Sequence, residues 1–377
     1  MMFEPTRRAG LQRLARFAPH AGKTYTSERN FDRNRRAAAV SFLSPYIRHR
    51  LVSEREILSE ILAHHTLKTA MPFVQEVFWR GYFKGWLEQR PSVWSAYQAE
   101  RDASLLDPLP NYQTAVSGQT GIACFDHWCQ QLRQTGYLHN HARMWFASIW
   151  IFTLRLPWPL GADFFLRHLQ DADPASNTLS WRWVAGLHTP GKHYLATAEN
   201  IAKFTDGRFQ PTGQLNENAA PLIEEKTHPI VPITPRSPDL PTRALWLMTE
   251  EDCQPPPDGA KPAGVLGIVS PDATGFAINA VRHAASTANG QTDVGHNWST
   301  AICRAAAKAG TSDVICAHLP VGPAAAGFAK TYQNLAAKNI RIHVFVRAYD
   351  RHVWPHTTKG FFKLKKQIPA LLRDLDL

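Results

Sequence analysis

The stretch DADPASNTLSWRWVAG, residues 171–186, combines two kinds of side chain that proteins usually keep apart. It places two carboxylates, an asparagine and two tryptophans within thirteen positions. Surface loops rarely carry two tryptophans, and buried cores rarely carry two aspartates. A large, flat and partly polar ligand would need both kinds of side chain, so this stretch predicts a binding site.

The composition is that of an ordinary globular protein of two or three domains, with 377 residues, 44% hydrophobic and 19% charged. Its 12 tryptophans fit either stacking on ligand rings or a large aromatic core. The longest apolar run begins at Met144 and is too short to span a bilayer. Five cysteines without a CxxC pair predict neither a disulfide framework nor a metal site, and favour a reducing, cytoplasmic location.

The formal net charge of +11 is unevenly distributed. Residues 1–55 carry 12 Arg or Lys against four acidic residues. Such a segment attracts phosphate backbones at long range. Two interpretations fit, a nucleic-acid interface and a solvated basic surface.

The sequence pattern of the first half of the chain predicts helices. Ser53 and Glu56 form a capping-box pattern, and an amphipathic helix follows with Pro72 near its start. After residue 204, prolines recur at every third position from Pro229 to Pro241 and predict a stiff, extended spacer. The spacer fits an interdomain strap or an SH3-type ligand.

The last part of the chain alternates short apolar runs with alanine-rich helical stretches. The runs at 244–248, 264–270, 313–319 and 340–346 suit buried parallel strands. The predicted fold class is therefore α plus α/β. An all-helical domain (1–204) precedes a proline-rich linker (205–242) and a small doubly wound parallel α/β domain (243–377).

Several polar groups of the helical half could hold one large ligand. Ser41 and Ser44 lie in a turn and could bind phosphate or simply cap a helix. Asn140 and Arg143 share one helical face. Arg143 in an apolar setting needs an anion, for which Asp171 or Asp173 is available.

Seven ordered motifs resemble the flavin-binding helical domain of the DNA photolyase/cryptochrome family. They are Tyr25, SFLSPY from 41, EVFWR from 76, TGIACFD from 120, HNHARM from 139, DAD from 171 and NTLSWRW from 177. The family pattern runs Tyr, S-x-L-S-P, E-x-x-W-R, T-G-x-x-x-x-D, H-N-x-x-R-M, D-x-D and N-x-x-x-W-x-W. The resemblance covers roughly the first 200 residues.

The resemblance implies a bent FAD among these helices. The implied cofactor-binding residues are Tyr25, Ser41, Phe42, Leu43, Ser44, Phe73, Arg80, Asn140, Arg143, Asp171, Asp173 and Asn177. Asn177 would face the reactive edge of the flavin ring. A neutral amide there avoids placing a carboxylate beside an anionic reduced flavin.

The resemblance also implies a pocket for a flipped dinucleotide and a chain of electron relays. The implied substrate-binding residues are Arg29, Glu76, Trp79, Asn140, Met144 and Trp183. Trp79 and Trp183 would clamp the lesion, unless they are core residues. The implied catalytic residues are Glu76 at the pyrimidine edge, Asn177, and Trp181 followed by Trp158 as electron relays.

The sequence departs from the family pattern in three ways. Leu105 stands where a third, surface tryptophan is expected, and Trp128, Trp145 or Trp150 are the possible substitutes. Val40 and Phe42 replace a threonine and an arginine of the phosphate turn. The α/β domain follows the flavin domain instead of preceding it, which predicts a circular permutation, and it is short, which argues against an antenna chromophore.

The predicted function is light-driven repair of pyrimidine dimers in DNA by a photolyase-like lyase. The alternatives are a cryptochrome-like blue-light photoreceptor and a light-independent DNA- or flavin-binding module. Met144 favours cyclobutane dimers, because related enzymes for (6-4) lesions usually place a histidine nearby, while His139 and His141 keep those lesions possible. The expected partner is damaged DNA, with no membrane and no metal.

Overall fold

The structure is a computed structural model that describes residues 3–33, 39–107, 109–233, 239–257 and 260–377. The chain forms two compact units. Unit 1 comprises Met1–Gly22, Ser41–Gln89 and Ile230–Leu377, and unit 2 comprises Lys23–Val40 and Arg90–Pro229. Within the described residues, no helix is both long and apolar enough to cross a membrane.

Helices dominate the chain as far as residue 204 and alternate with strands after residue 242. The α-helices up to residue 204 are α1 (Arg7–Phe17), α2 (Lys23–Glu28), α3 (Ser44–Arg48), α4 (Glu54–His64), α5 (Leu67–Glu88), α6 (Pro91–Leu106), α7 (Asn111–Ser117), α8 (Ala123–Thr135), α9 (Asn140–Ser148), α10 (Trp158–His168), α11 (Pro174–Ala185) and α12 (Ala198–Phe204). The later ones are α13 (Gly275–Thr287), α14 (Trp298–Ala309), α15 (Pro323–Ala336), α16 (Ala348–Val353), α17 (Phe361–Lys365) and α18 (Ile368–Asp374). The strands are β1 (Arg243–Met248), β2 (Lys261–Val269), β3 (Gln291–Val294), β4 (Asp313–Ala317) and β5 (Arg341–Phe345).

The sheet of unit 1 is parallel throughout, with the strand order β3-β2-β1-β4-β5. One face packs against Trp298 and Ile302 of α14 and Phe328 of α15. On the opposite face, Trp246 of β1 packs in a cluster with Ala285 of α13. Because helices cover both faces, the sheet is doubly wound, and the predicted fold class of helices plus a parallel α/β part is confirmed.

Local signals explain most element starts. The predicted capping box is present, since Ser53 Oγ accepts from Glu56 N and the Glu56 carboxylate accepts from Ser53 N at 2.8 Å. Helix α5 begins at Leu67, more than one turn before Pro72, because Thr66 caps it by accepting from Thr69 N. The predicted start near Pro72 was therefore too late.

A network of buried ion pairs, here called the Arg50 network, joins the loop after α3 and helices α4 and α5 to the turns after β1 and β5 and to α16. Arg50 contacts Asp350 at 2.5 Å, Glu54 at 3.2 Å and Asp252 at 3.5 Å. Asp252 also accepts from Arg347 at 2.9 Å. Beside this network, Arg48 and Lys84 both bind Glu251. These pairs place segment 41–89 in the same unit as the sheet.

The predicted domain boundaries remain a prediction. They place residues 41–89 in the helical domain, whereas the compact units group these residues with the sheet. Among the described residues between Phe204 and Arg243 there is no helix or strand. Pro235 and Pro238 of the predicted spacer lie outside the described residues. The choice between strap and SH3-type ligand stays open.

Candidate functional site

The predicted site residues fall into two groups, one in each unit. Unit 2 contains Tyr25, Arg29, Asn140, Arg143, Met144, Trp158, Asp171, Asp173, Asn177, Trp181 and Trp183. Unit 1 contains Ser41, Phe42, Leu43, Ser44, Phe73, Glu76, Trp79 and Arg80.

The centre of the unit 2 group is an ion pair between α9 and the loop before α11. Arg143 Nη2 donates to Asp171 Oδ2 at 2.8 Å, and Arg143 Nε donates to Leu138 O at 3.0 Å. Burial acts to lower the pKa of Arg143, but the Asp171 carboxylate outweighs it and the pKa is raised. Arg143 therefore stays charged, and its predicted need for an anion is met by Asp171.

One carboxylate oxygen of Asp171 lacks a hydrogen-bond donor. Asp171 is buried, and among the described residues its Oδ1 accepts no hydrogen bond. A buried carboxylate oxygen without a donor costs free energy of about 1–3 kcal/mol or more. A ligand with an N–H or O–H group at this position would remove that cost.

Asp173 and Asn177 lie on the first turn of α11. Asp173 is the N-cap, and its Oδ1 accepts from Ser176 N at 2.8 Å. Asn177 is buried, and its Nδ2 donates to Ala162 O at 2.9 Å. That bond fixes the amide so that Oδ1 is the atom offered to a ligand.

Trp181 lies one turn further along α11 in an aromatic cage. Its indole makes edge contacts with Phe165 at 5.1 Å and Trp150 at 6.2 Å between ring centroids. A Cβ on Gly161 would lie 2.3 Å from the indole, so only glycine lets α10 approach so closely. Of the three possible substitute tryptophans, Trp150 is the one that touches Trp181, whereas Trp128 and Trp145 stack on each other.

Trp158 and Trp183 occupy different surroundings. Trp158 is buried at the start of α10, 5.6 Å from Tyr97 between ring centroids. Trp183 is half-buried and stacks on Tyr194 at 5.8 Å. Trp183 thus keeps an accessible part, as a lesion clamp requires, while Trp158 fits an internal relay.

The other unit 2 residues border α2 and α9. The Arg29 guanidinium lies 5.6 Å from the Tyr25 ring, in a cation–π contact, and Tyr25 is buried. On α9, Asn140 is exposed and Met144 half-buried. Their predicted substrate roles remain predictions.

His139 and His141 are both neutral at physiological pH. His139 Nδ1 accepts from His141 N at 3.2 Å, so its Nε2 carries the proton that it donates to Arg29 O at 3.0 Å. Burial lowers the pKa of His139 and lowers that of His141 to about 4. Neither ring carries the extra proton of an imidazolium at pH 7.

In unit 1, the serine motif forms a tight turn before α3. Ser41 Oγ accepts from Leu43 N at 3.3 Å, and Leu43 is the residue before the first residue of α3, Ser44. Phe42 has a φ of 52°, a left-handed backbone that aromatic residues rarely adopt. Its ring lies near the Arg13 guanidinium, at 5.8 Å.

Two of the α5 residues predicted to bind ligands have strong contacts inside unit 1. Arg80 Nη1 donates to the buried Glu54 at 2.5 Å, and Arg80 Nη2 donates to Arg48 O at 3.3 Å. The indole of Trp79 stacks on Phe361 at 3.7 Å with the ring planes 12° apart. One face of Trp79 is therefore covered by the chain itself.

The remaining α5 residues differ in burial. Phe73 is buried and packs on Phe17 at 4.9 Å between ring centroids, and Glu76 is half-buried. Packing explains Phe73 without a ligand. Its predicted contact with the cofactor, like the role of Glu76, remains a prediction.

Sequence reasoning missed three residues that shape this arrangement. They are Ala162, whose carbonyl orients Asn177, Gly161, which admits Trp181, and Phe361, which covers Trp79. The first acts through a backbone atom, and the last lies more than 280 positions from its partner. Only Gly161 carried a signal, since a glycine inside a helical pattern indicates close packing.

Comparison with known proteins assigns this region. Residues 73–217 match the FAD binding domain of DNA photolyase. The deoxyribodipyrimidine photo-lyase of Streptomyces griseus is 36% identical over 152 residues, which are 40% of this chain and 33% of the relative. That of Alkalihalophilus pseudofirmus is 28% identical over 248 residues, 64% of this chain and 48% of the relative.

A solved bacterial class III photolyase from Agrobacterium tumefaciens aligns with a TM-score of 0.46 and 27% identity, covering 53% of this chain and 42% of that one. The chain spans about a third to a half of the length of the curated relatives. The matched segment, residues 73–217, is similar to the helical FAD-binding domain of DNA photolyases. The similarity to curated deoxyribodipyrimidine photo-lyases extends over 40–64% of this chain.

Proposed function

We propose that this chain uses light and FAD to repair pyrimidine dimers in DNA, as a deoxyribodipyrimidine photo-lyase. The names of the curated relatives support this, since the relatives that match 40–64% of this chain are deoxyribodipyrimidine photo-lyases. The observation that carries the proposal is the Arg143–Asp171 pair, in which a buried carboxylate oxygen lacks a donor among the described residues.

The residues of unit 2 fit the polar edge of a flavin ring. Asp171 Oδ1 can accept from a ring N–H, Arg143 can bind a ring carbonyl, and the Asn177 amide can accept from a further N–H. When bound and reduced, FAD supplies a light-excited electron to the dimer. The neutral Asn177 places no negative charge beside the reduced ring, where a carboxylate would be repelled.

Trp183 and Met144 are the proposed lesion contacts in unit 2. A half-buried indole stacked on Tyr194 is held in one orientation, so little conformational entropy is lost when it packs on a base. The proposed role of Trp181, with Trp150 or Trp158 beyond it, is to return electrons to an oxidised flavin. The roles of Ser41, Phe42, Leu43, Ser44, Phe73, Glu76, Trp79 and Arg80 remain predictions.

We further propose cyclobutane dimers as the substrate. The two histidines that kept the (6-4) lesion possible are neutral, and both nitrogens of His139 make hydrogen bonds. Splitting a cyclobutane ring by electron transfer needs no proton donor. We expect the protein to restore thymines from cyclobutane dimers and to leave (6-4) lesions unchanged.

The experiment is illumination of the purified protein, in a reduced flavin state, with an oligonucleotide that carries one thymine dimer. Restored thymines are counted, and the bound flavin is quantified by its absorbance. Restoration in light and none in darkness supports repair. Bound flavin without restoration supports the photoreceptor alternative, and absence of flavin contradicts both.

We also propose that the order of the parts is circularly permuted. The parallel sheet begins after residue 242, behind the FAD-binding segment at 73–217. The test is a strand-by-strand alignment of residues 243–377 with the N-terminal domain of photo-lyases. Correspondence of β1 to the first strand there supports permutation, and a different strand order contradicts it.

A further inference from the structure

The C-terminal end of the chain carries a positive segment that the proposed flavin site does not use. Residues 351–373 contain six Arg or Lys and no Asp or Glu. A run without acidic residues cannot neutralise itself locally. It therefore attracts a partner that carries many negative charges.

Helix α17 anchors this segment to unit 1 and points its remaining side chains outward. Phe361 and Leu364 are buried. On the other side lie the exposed Lys359, Lys363 and Lys366, together with Phe362, which is 74% exposed. These four residues are called the α17 surface below. A phenylalanine held in water among lysines is the kind of exposed apolar group that marks a binding surface.

A row of rings connects the α17 surface to α5. Phe83 lies 5.3 Å from Trp79, Trp79 stacks on Phe361 at 3.7 Å, and Phe361 lies 6.3 Å from Phe362. Phe83 and Trp79 are half-buried, so the row is accessible along part of its length. The aromatic row and the lysines thus occupy one continuous part of unit 1.

From this juxtaposition we infer that the α17 surface binds a single-stranded stretch of DNA. The lysines would contact phosphates while Phe362 stacks on an unpaired base, the combination by which proteins hold single strands without reading sequence. The inference rests on the proposed function for the identity of the nucleic acid. Trp79, a predicted lesion contact on α5, would then continue the same row.

Other polyanions fit the α17 surface less well. A membrane surface requires a broad apolar face, whereas Phe362 is the one large exposed apolar side chain among the described residues 351–377. An acidic peptide would satisfy the lysines but would leave the ring without a stacking partner. A single strand of nucleic acid supplies both a base for the exposed ring of Phe362 and phosphates for the exposed lysines around it.

The test is fluorescence anisotropy of labelled oligothymidylate of about 12 nucleotides with the full-length protein. Phe362→Ala is expected to raise the dissociation constant at least about fivefold by removing a stacking partner. The double variant Lys363→Gln/Lys366→Gln is expected to weaken binding about tenfold at low salt. It is also expected to reduce the slope of log affinity against log salt by about 1.4.

The matched control is Lys330→Gln/Lys338→Gln, which removes two exposed lysines from α15 and its end in the same unit. Less than twofold weakening in the control supports the inference. Equal weakening in both double variants, or an unchanged dissociation constant in Phe362→Ala, overturns it. Tighter binding of vesicles of anionic phospholipid than of the oligonucleotide overturns it as well.

Dimer repair at saturating DNA, measured on the same proteins, separates this inference from the proposed function. Thymine restoration by the wild type, with oligothymidylate binding insensitive to Phe362→Ala, overturns the α17 surface alone. Binding that depends on Phe362 in a protein that restores no thymine supports the α17 surface and contradicts the repair function.

Discussion

The two units differ in how their buried carboxylates are paired with cations. In unit 1, Arg50 contacts three carboxylates, and Arg80 and Arg347 bind two of them again, while Asp350 Oδ1 accepts no hydrogen bond among the described residues. In unit 2, Asp171 has one arginine partner and one buried oxygen that accepts nothing among the described residues. The Arg50 network holds segments of the chain together through shared cations, whereas the Arg143–Asp171 pair has a single cation and lies among residues that are predicted to bind a ligand.

The largest expected effect is a loss of stability on disrupting the Arg50 network. Arg50→Met removes the partner of Asp350 and is expected to lower the free energy of unfolding by about 3–5 kcal/mol, because a buried carboxylate loses its cation. Chemical denaturation measures it. The exposed Arg304→Met is the control, with an expected change within about 0.5 kcal/mol. Similar losses of stability in both variants would show that the loss does not depend on the Arg50 network.

The Arg143–Asp171 pair tests the affinity for the cofactor. Asp171→Asn is expected to weaken FAD binding by about 1.5–3 kcal/mol, roughly tenfold to a hundredfold, because a charged hydrogen bond is lost. Flavin retained per chain after dialysis and a fluorescence titration measure it. Asp163→Asn, which breaks the pair with Arg167 on α10, is the control. Unchanged flavin affinity in Asp171→Asn would show that the Asp171 carboxylate does not bind the flavin.

Trp183 tests whether the ligand-facing character of unit 2 extends to the substrate. Trp183→Ala is expected to weaken affinity for dimer-containing DNA by about 1–3 kcal/mol while the flavin content stays unchanged. Electrophoretic mobility shift assays with damaged and undamaged duplexes measure it. Trp183→Phe, which keeps a stacking face, is expected to retain most of the affinity. Loss of flavin in Trp183→Ala would indicate packing instead.

The smallest expected effect concerns a buried acid of unit 1 that lies outside the Arg50 network. Burial, and then the nearby Glu251 carboxylate, raises the pKa of Glu250 to about 7. The folded state therefore keeps a proton that the unfolded state loses from about pH 4.5, and stability falls as the pH rises through this window. Glu250→Gln is expected to be about 1–2 kcal/mol more stable than the wild type at about pH 8, with little difference at about pH 4.

Denaturation curves at the two pH values check that prediction. A gain in stability of Glu250→Gln at both pH values would indicate that the amide packs better than the carboxyl group, independently of its charge. A loss of stability at about pH 8 would contradict the prediction, because it would mean that the ionised Glu250 carboxylate stabilises the folded state.

The elements that the sequence predicted well carry their signal locally. The four long strands are apolar runs, and the capping box at Ser53 is complete within four residues. Strand β3 was missed because its four residues, Gln291–Val294, form a short, half-buried edge without an apolar run. Thr66 moved the start of α5 ahead of Pro72, because a proline in the second turn is tolerated when tertiary packing holds the helix.

The candidate site could be predicted in part. Arg143 and Asp171 meet as the sequence indicated, because an arginine on an apolar helix needs an anion. The partners of Arg80 and Trp79 could not be predicted. Glu54 lies 26 positions from Arg80, and Phe361 lies far along the chain from Trp79, so no local pattern links them.

By itself, the sequence determined the helical and α/β parts and the segment that is similar to the FAD binding domain of DNA photolyase. It also placed the acidic, amide and indole residues at the start of α11 and along it. Periodicity and ordered motifs are properties of neighbouring residues, and they survive without knowledge of the fold. Only the tertiary structure decided which buried carboxylates share several cations and which keep an oxygen without a hydrogen-bond donor among the described residues. That distinction depends on distances between atoms whose residues lie far apart in the chain.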